Sequence, residues 1–150
     1  MRHRIYIDTS VIGGCFDKEF KEWSEKLFDN FRRGKSIAVI SDITLDELSF
    51  ARTEIRNLLD TLPNESKEYV LNDGQSENLA DHYIKEGAVT KNSHEDALHI
   101  AIATINKVDV LVSWNFKHIV NLTRIRKYNA VNLMNGYQMI EIRNPREILK

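Results

Sequence analysis

Residues 96–105, Asp-Ala-Leu-His-Ile-Ala-Ile-Ala-Thr-Ile, read as a helix that is apolar nearly all round. A helix with a wet face shows an apolar stripe, whereas one without such a face must be enclosed by other elements. This segment is therefore central, and Ala97, Ala101 and Ala103 let neighbouring backbones come close to it. Residues 108–113, Val-Asp-Val-Leu-Val-Ser, follow at once as the clearest buried strand. Their near-continuous apolar run is the pattern of a strand covered on both faces. A chain of 150 residues can supply that cover within one domain, 1–150, since a domain of this size buries roughly 70% of its extended surface.

Strand and helix signals alternate along the rest of the chain. Ile5, Tyr6 and Ile7 form a short first strand, 36–40 a second, 69–71 a third and 139–142 a last. Between them lie an amphipathic helix carrying Phe16, Phe20, Trp23, Leu27, Phe28 and Phe31 and ending near Gly34, and a helix opened by Ser41 or Asp42. A helical segment over 52–62 closes at Pro63, a helix over 76–86 ends at Gly87, and a last helix lies within 122–135. Pro145 begins the tail. This alternation predicts an α/β fold whose mostly parallel sheet of about five strands has helices on both faces.

Composition removes several function classes. No apolar run approaches the ~20 residues of a membrane-spanning helix, and no export signal is expected at the amino terminus. The single cysteine, Cys15, excludes an intrachain disulfide and suits a reducing cytoplasm; it has no arranged base that would make it a nucleophile. A net charge of −1 is no global nucleic-acid signature, so an anionic partner has to meet a local basic patch. The basic residues available are Arg2, Arg4, Arg32, Arg33, Lys35, Lys117, Arg124, Arg126 and Lys127, with Lys117 best placed after a strand end.

Three acids hold comparable positions. Asp8 ends the first strand and is followed by Thr9 and Ser10, Glu47 lies early in the helix after the second strand, and Asp96 is in the first turn of the central helix. Right-handed crossovers bring strand ends, and the helix starts that follow them, to one edge of a sheet. Each acid also has a plain reading as a cap: Asp8 or Ser10 can start a helix, and 44–47 and 93–96 each fit a capping box. Three carboxylates at one edge repel each other, however, and their pKa values rise unless a cation sits among them. Hard oxygen ligands without a His/Cys set at zinc spacing point to Mg²⁺ or Mn²⁺.

Taken in order and spacing, Ile5-Tyr6-Ile7-Asp8-Thr9-Ser10, the stretch from Ser41 to Leu48, and that from Asp96 through Asn115 resemble the PIN-domain nucleases, which include VapC-type toxins of toxin–antitoxin pairs. The resemblance covers essentially the whole chain. It implies a three-layer domain, a divalent metal at the carboxyl edge of the sheet, and phosphodiester hydrolysis, usually of RNA. It further implies an antitoxin partner and a homodimer, with apolar residues of the first long helix or of 43–62 left exposed by one subunit. Asp8, Glu47 and Asp96 match the first three acids of the family as catalytic and metal-holding residues. Thr9 or Ser10 matches the hydroxyl position; Thr9, Ser10, Ser113 and Lys117 are then expected to meet substrate.

The fourth acidic position departs from the pattern. Asn115 stands there as the fourth expected catalytic residue, its amide oxygen able to ligate a hard cation or hold a water, but it is uncharged, so metal affinity is expected to fall and a second metal is not expected to bind as it would at four acids. Asp109 cannot replace it, because it begins the same strand and lies at the opposite edge. His99, one turn beyond Asp96, and His118, close in sequence to Asn115, are candidates for proton transfer or phosphate contact, although a lone histidine is more often packed or on the surface, and Trp114 beside a buried strand is more often core than a base-stacking platform. The rival reading is a PIN-like fold without catalysis that binds RNA or protein. A phosphotransfer site at Asp8 lacks the second acid two residues on, and Gly13-Gly14 is no dinucleotide fingerprint.

Overall fold

The computed structural model describes residues 2–149. In chain order, β1 (His3–Ile7) leads into α1 (Thr9–Gly14) and α2 (Lys21–Arg32); β2 (Ser36–Ser41) leads into α3 (Asp42–Leu48) and α4 (Thr53–Arg56). Then come β3 (Lys67–Val70), α5 (Gly74–Lys85), α6 (His94–Ile105), β4 (Val110–Val112), α7 (Leu122–Met134), β5 (Ile142–Arg143) and α8 (Pro145–Ile148). All five strands pair in parallel in the order β3-β2-β1-β4-β5.

Period-2 alternation sends successive side chains of each strand to opposite faces. Tyr6, Val39 and Leu111 meet α5, α6 and α7 in one core, while Ile5, Ile7, Ala38, Ile40, Val110 and Val112 meet α1, α2 and the 48–62 region in another. The result is the expected three-layer arrangement. Helix α6 is its centre, with every residue from Ala97 to Thr104 buried. No helix among the described residues is long and apolar enough to cross a membrane.

The order of the strands fixes where a site can form. From β1 the chain winds outward through β2 to β3, then crosses back to place β4 on the other side of β1. The reversal leaves a crevice beyond the carboxyl ends of β1 and β4, and open α/β sheets hold their ligands at such a point. Asp8 follows β1 there, and Ser113 to Asn115 follow β4.

Several elements differ from the expectation. The helix expected from Phe16 begins only at Lys21, because the Asp17 carboxylate accepts from Glu19 N at 2.8 Å and turns the chain. Phe16 is left exposed, and Phe20 turns inward to stack on Trp114 with ring centroids 4.3 Å apart. The helical segment over 52–62 divides into α4 and a 3₁₀ turn at Leu58–Thr61. The third strand starts at Lys67 rather than Tyr69, its charged Glu68 satisfied by Arg4. The last strand is only Ile142–Arg143, because β4 offers two residues for pairing, and Met139 stays exposed. Pro145 opens a capped helix instead of a tail, with Asn144 and Glu147 forming a capping box.

Candidate functional site at the carboxyl edge

Asp8 is both a cap and the deepest acid of the crevice, so the two readings of that residue are not alternatives. Its backbone ends β1 in an extended conformation, and its Oδ1 accepts from Val11 N at 3.2 Å to start α1. The same oxygen accepts from Ser10 Oγ at 2.6 Å, and Oδ2 accepts from Ser113 Oγ at 2.6 Å. Each serine is itself held by the chain after β4. Trp114 N donates to Ser10 Oγ and Asn115 N to Ser113 Oγ, both at 2.9 Å. Two hydroxyls thus pass backbone N–H polarity on to one buried carboxylate and lock the β1 and β4 exits together.

Glu47 reaches the crevice from α3. That helix starts at Asp42 with Ser41 as its cap, which places Thr44 inside the helix and leaves Glu47 free of the expected capping box. Glu47 Oε1 accepts from Thr9 Oγ1 and from His99 Nε2, each at 2.8 Å. His99 is buried one turn beyond Asp96 on α6, and its Nδ1 lies 2.7 Å from the Tyr6 hydroxyl, which is in turn 2.7 Å from Ser41 Oγ. With the imidazole protonated, both ring nitrogens donate, to Tyr6 and to Glu47, and the Tyr6 hydroxyl donates onward to Ser41.

Asp96 comes from the first turn of α6. The capping box expected over 93–96 does not form, since Ser93 makes no side-chain cap. Asp96 Oδ1 receives only a long bond, 3.3 Å, from Asn115 Nδ2. The Asn115 amide oxygen is turned the other way and accepts from His118 N at 2.9 Å. Asn115 therefore offers its acidic neighbour a donor where the family pattern would place another negative charge.

The electrostatics follow from this placement. Burial pushes the Asp8 carboxyl up, against the opposing charge of His99 and the hydrogen bonds from Ser10 and Ser113. Asp96 is raised first by burial and further by Asp8 and Glu47, while His99 and His118 pull it down. Burial alone would raise Glu47, but the bonds and charge of His99 and the bond from Thr9 outweigh it and hold the carboxyl below its ordinary value. Burial alone would likewise lower His99, yet Tyr6, Glu47 and Asp8 together carry it well above the ordinary imidazole value. Glu95, exposed at the rim, is raised by its partial burial and by the hydrogen bond and charge of Glu47.

Of the residues the sequence singled out, Asp8, Thr9, Ser10, Glu47, Asp96, Ser113 and Asn115 are thus joined in one network of hydrogen bonds and charges. Thr9, Ser10 and Ser113 direct their hydroxyls to the carboxylates. Lys117 is exposed; its backbone oxygen accepts from Arg124, and its amine joins no hydrogen bond or ion pair among the described residues. Arg2 and Arg4, considered as basic contacts, lie at the opposite edge. Arg2 bonds Glu65 O at 2.6 Å, and Arg4 grips Glu68 and the carbonyls of Asn106 and Lys107. Asp109 sits at that edge too, accepting from Arg4 N. Trp114 is core, its Nε1 donating to Ser24 Oγ at 2.8 Å. Tyr6, Ser41 and Glu95 were not singled out. Tyr6 carried a signal, being the one polar tip in its apolar run and facing opposite to Ile5 and Ile7.

Oxygen donors of this kind suit a hard divalent cation; burial raises both the Asp8 and the Asp96 carboxyls, and the charges of Asp8 and Glu47 add to the rise at Asp96. Among the described residues, no three of the His, Cys, Asp and Glu side chains already stand as a metal cage. Asp8 Oδ1 and Glu47 Oε1 each accept two hydrogen bonds already, so the lone-pair capacity open to a cation is that of Asp8 Oδ2, which accepts one, and of Glu47 Oε2.

No protein-family model matches the chain, and no curated protein matches it in sequence. Solved structures do. A chain of VapBC2 from Rickettsia felis, solved bound to a DNA fragment from the pair's promoter, aligns with a TM-score of 0.60 at 16% identity over 94% of this chain and 98% of its own. FitAcB from Neisseria gonorrhoeae aligns at 0.59 and 14% identity, over 95% and 98%. VapC20 of Mycobacterium tuberculosis, described as a toxin that cleaves the sarcin-ricin loop, aligns at 0.57 and 14% identity, over 76% and 92%.

Proposed function

Because the chain has the PIN-domain fold of VapC-type toxins, we propose that it is a divalent-metal-dependent endoribonuclease and the toxin of a toxin–antitoxin pair. What supports this reading is that Asp8 and Glu47 are held in place by Thr9, Ser10 and Ser113 and that the charges of both act on Asp96. Asp8 and Asp96 would hold Mg²⁺ or Mn²⁺, and Glu47 would do so through water or orient the attacking water itself. Bound there, the cation supplies charge for the phosphate oxygens and lowers the pKa of a water. The protein's own part is orientation. Ser10 and Ser113 fix both Asp8 oxygens, and protonated His99 fixes Glu47 while keeping it ionised, the state needed to accept a proton from water. Lys117 and the hydroxyl of Thr9 are the residues proposed to meet substrate, and the single domain 1–150 is proposed to act in the cytoplasm.

Incubation with single-stranded and hairpin RNA, with Mg²⁺ or Mn²⁺, tests the reading. Wild type is expected to cut, and Asp96→Asn to lose cleavage by at least about 100-fold while melting cooperatively, the scale at which a metal-directed group acts. No cleavage by wild type with either ion sinks it. The second reading, an interaction module without catalysis, is favoured by Asn115, whose amide already relieves Asp96. Partnership is proposed as a homodimer that an antitoxin binds. Phe50 and Leu45, exposed on and beside α3, and Phe16, over whose ring Arg52 lies, are the apolar side chains available for it. Light scattering at micromolar concentration is expected to give twice the chain mass.

A further inference from the structure

Another groove opens between the end of α5 and the start of α7, with a volume of about 690 Å³. Its wall carries three cations, Lys91, Arg124 and Lys127, together with the polar groups of Thr90, Asn121 and Thr123, and no acid lines it. None of the three cations makes an ion pair among the described residues. In a chain of net charge −1 these three cations line one groove with no acid among its lining residues, and one of its walls runs into the helix that carries Asp96.

Two segments tie the groove to the crevice. The 3₁₀ turn Lys91–Ser93 runs straight into α6, whose first turn bears Asp96. On the other side, Arg124 Nε donates to Lys117 O at 3.0 Å and Nη1 donates to Ala88 O at 2.9 Å, which fastens the chain after Asn115 to the segment that precedes Lys91. The rise from Lys91 to Asp96 is roughly 8–10 Å at 1.5–2.0 Å per residue, the scale of a nucleotide or two. Arg124 is committed to those carbonyls, and its remaining charge, with the free amines of Lys91 and Lys127, faces the groove.

We infer that this groove is a phosphate-backbone subsite for single-stranded RNA, with Lys91 and Lys127 each meeting a phosphate that flanks the one at the acids. The inference rests on the ribonuclease reading for its substrate, and its binding term is separable from cleavage. Lysine contacts to phosphate carry no base information, so the subsite adds affinity to any sequence and leaves choice of sequence to other contacts. It also sets a minimum length, since an RNA that ends at the acids does not reach it.

The test is fluorescence anisotropy of a labelled, mixed-sequence, single-stranded RNA of roughly 12 nucleotides, in EDTA so that nothing is cut, with wild type and the Lys91→Ala/Lys127→Ala double variant. Losing two phosphate contacts is expected to reduce the slope of log affinity against log salt by about 1.4. Between 50 and 200 mM salt, wild-type affinity then falls about sevenfold more than that of the variant. Lys91→Arg/Lys127→Arg, which keeps both charges, is expected to restore the wild-type slope, and both variants are expected to melt as wild type does. Equal slopes for wild type and the alanine variant, or no RNA binding by wild type, overturn the subsite, whatever cleavage with Mn²⁺ shows. A slope that depends on the groove in a protein that cuts no RNA upholds the subsite and overturns the ribonuclease reading.

Discussion

Asp8 illustrates how one residue carries both a structural and a chemical demand, and the conflict between them has a measurable consequence. Its carboxylate is buried and its pKa raised above the ordinary 3.8, so the folded metal-free protein holds that proton more tightly than the unfolded chain. The cost of the buried charge is absent below the unfolded value, grows as pH rises through the interval up to the raised value, and is full above it. Asp8→Asn removes the charge and retains an acceptor for Ser10 and Val11. Differential scanning fluorimetry in EDTA at pH 7 is expected to show a melting temperature about 1–8 °C above wild type, the shift that roughly 0.5–2 kcal/mol produces at this chain length. The gain is expected to vanish as pH falls toward 4; a constant difference across pH contradicts the account. Asn115 poses the opposite case. A carboxylate there can still accept from His118 N, but its second oxygen faces Asp96 in place of an N–H donor. Asn115→Asp is therefore expected to lower stability in EDTA and to lower the Mn²⁺ concentration that gives half-maximal cleavage. Titration of activity against Mn²⁺ checks this, and an unchanged midpoint favours the module without catalysis.

Among the elements, α1 is positioned by its tightest contact rather than by propensity. A Cβ on Gly14 would lie 2.5 Å from Ser24 Oγ and 2.9 Å from Trp114 Nε1, with α2 on one side and the chain after β4 on the other. Gly14→Ala must push Trp114 from Phe20 or α1 from α2, and overpacking of this kind costs about 1–3 kcal/mol. Urea unfolding is expected to show that loss with an unchanged m-value, whereas Gly13→Ala, which meets nothing within 4 Å, is expected to be near neutral or stabilising. Contacts of this sort leave no periodic trace in the sequence. The central α6 and the buried β4 were legible because their periodicity records burial directly, and the edge at which Asp8, Glu47 and Asp96 gather was legible because parallel topology fixes it. The break at Asp17 was not, since an amphipathic stripe from Phe16 to Phe31 continues through it and only the stacking of Phe20 on Trp114 reveals the turn. The short β5 was hidden as well, its length being set by how much of β4 is left to pair. His99 was visible only as a lone histidine; its partners Tyr6 and Glu47 lie 93 and 52 residues away in sequence.

At the scale of the whole molecule, the sheet separates two kinds of charge. At the amino edge Arg2 and Arg4 are each matched by carbonyls or by Glu68, and Asp109 by a backbone N–H. At the carboxyl edge lie Asp8, Glu47, Glu95 and Asp96 with the buried His99 among them; three of the four carboxyls are held above their ordinary values, and the imidazole is held well above its own. Folding thus assembles an acidic cluster that the unfolded chain does not have, and a cation that binds there stabilises the folded state by mass action. At a free Mg²⁺ or Mn²⁺ concentration about 100 times its dissociation constant the gain is about 2.7 kcal/mol, or roughly 5–11 °C in melting temperature for a chain of this length. The rise is expected to grow with the logarithm of metal concentration, to be matched by neither K⁺ nor an equal ionic strength of NaCl, and to be largely lost in Asp8→Asn. Since the same variant is expected to be the more stable protein in EDTA, the two melting curves should cross as metal is added. Parallel curves at every metal concentration would mean that Asp8 and the cation do not meet, and would remove the metal from the proposed function while leaving the fold as described.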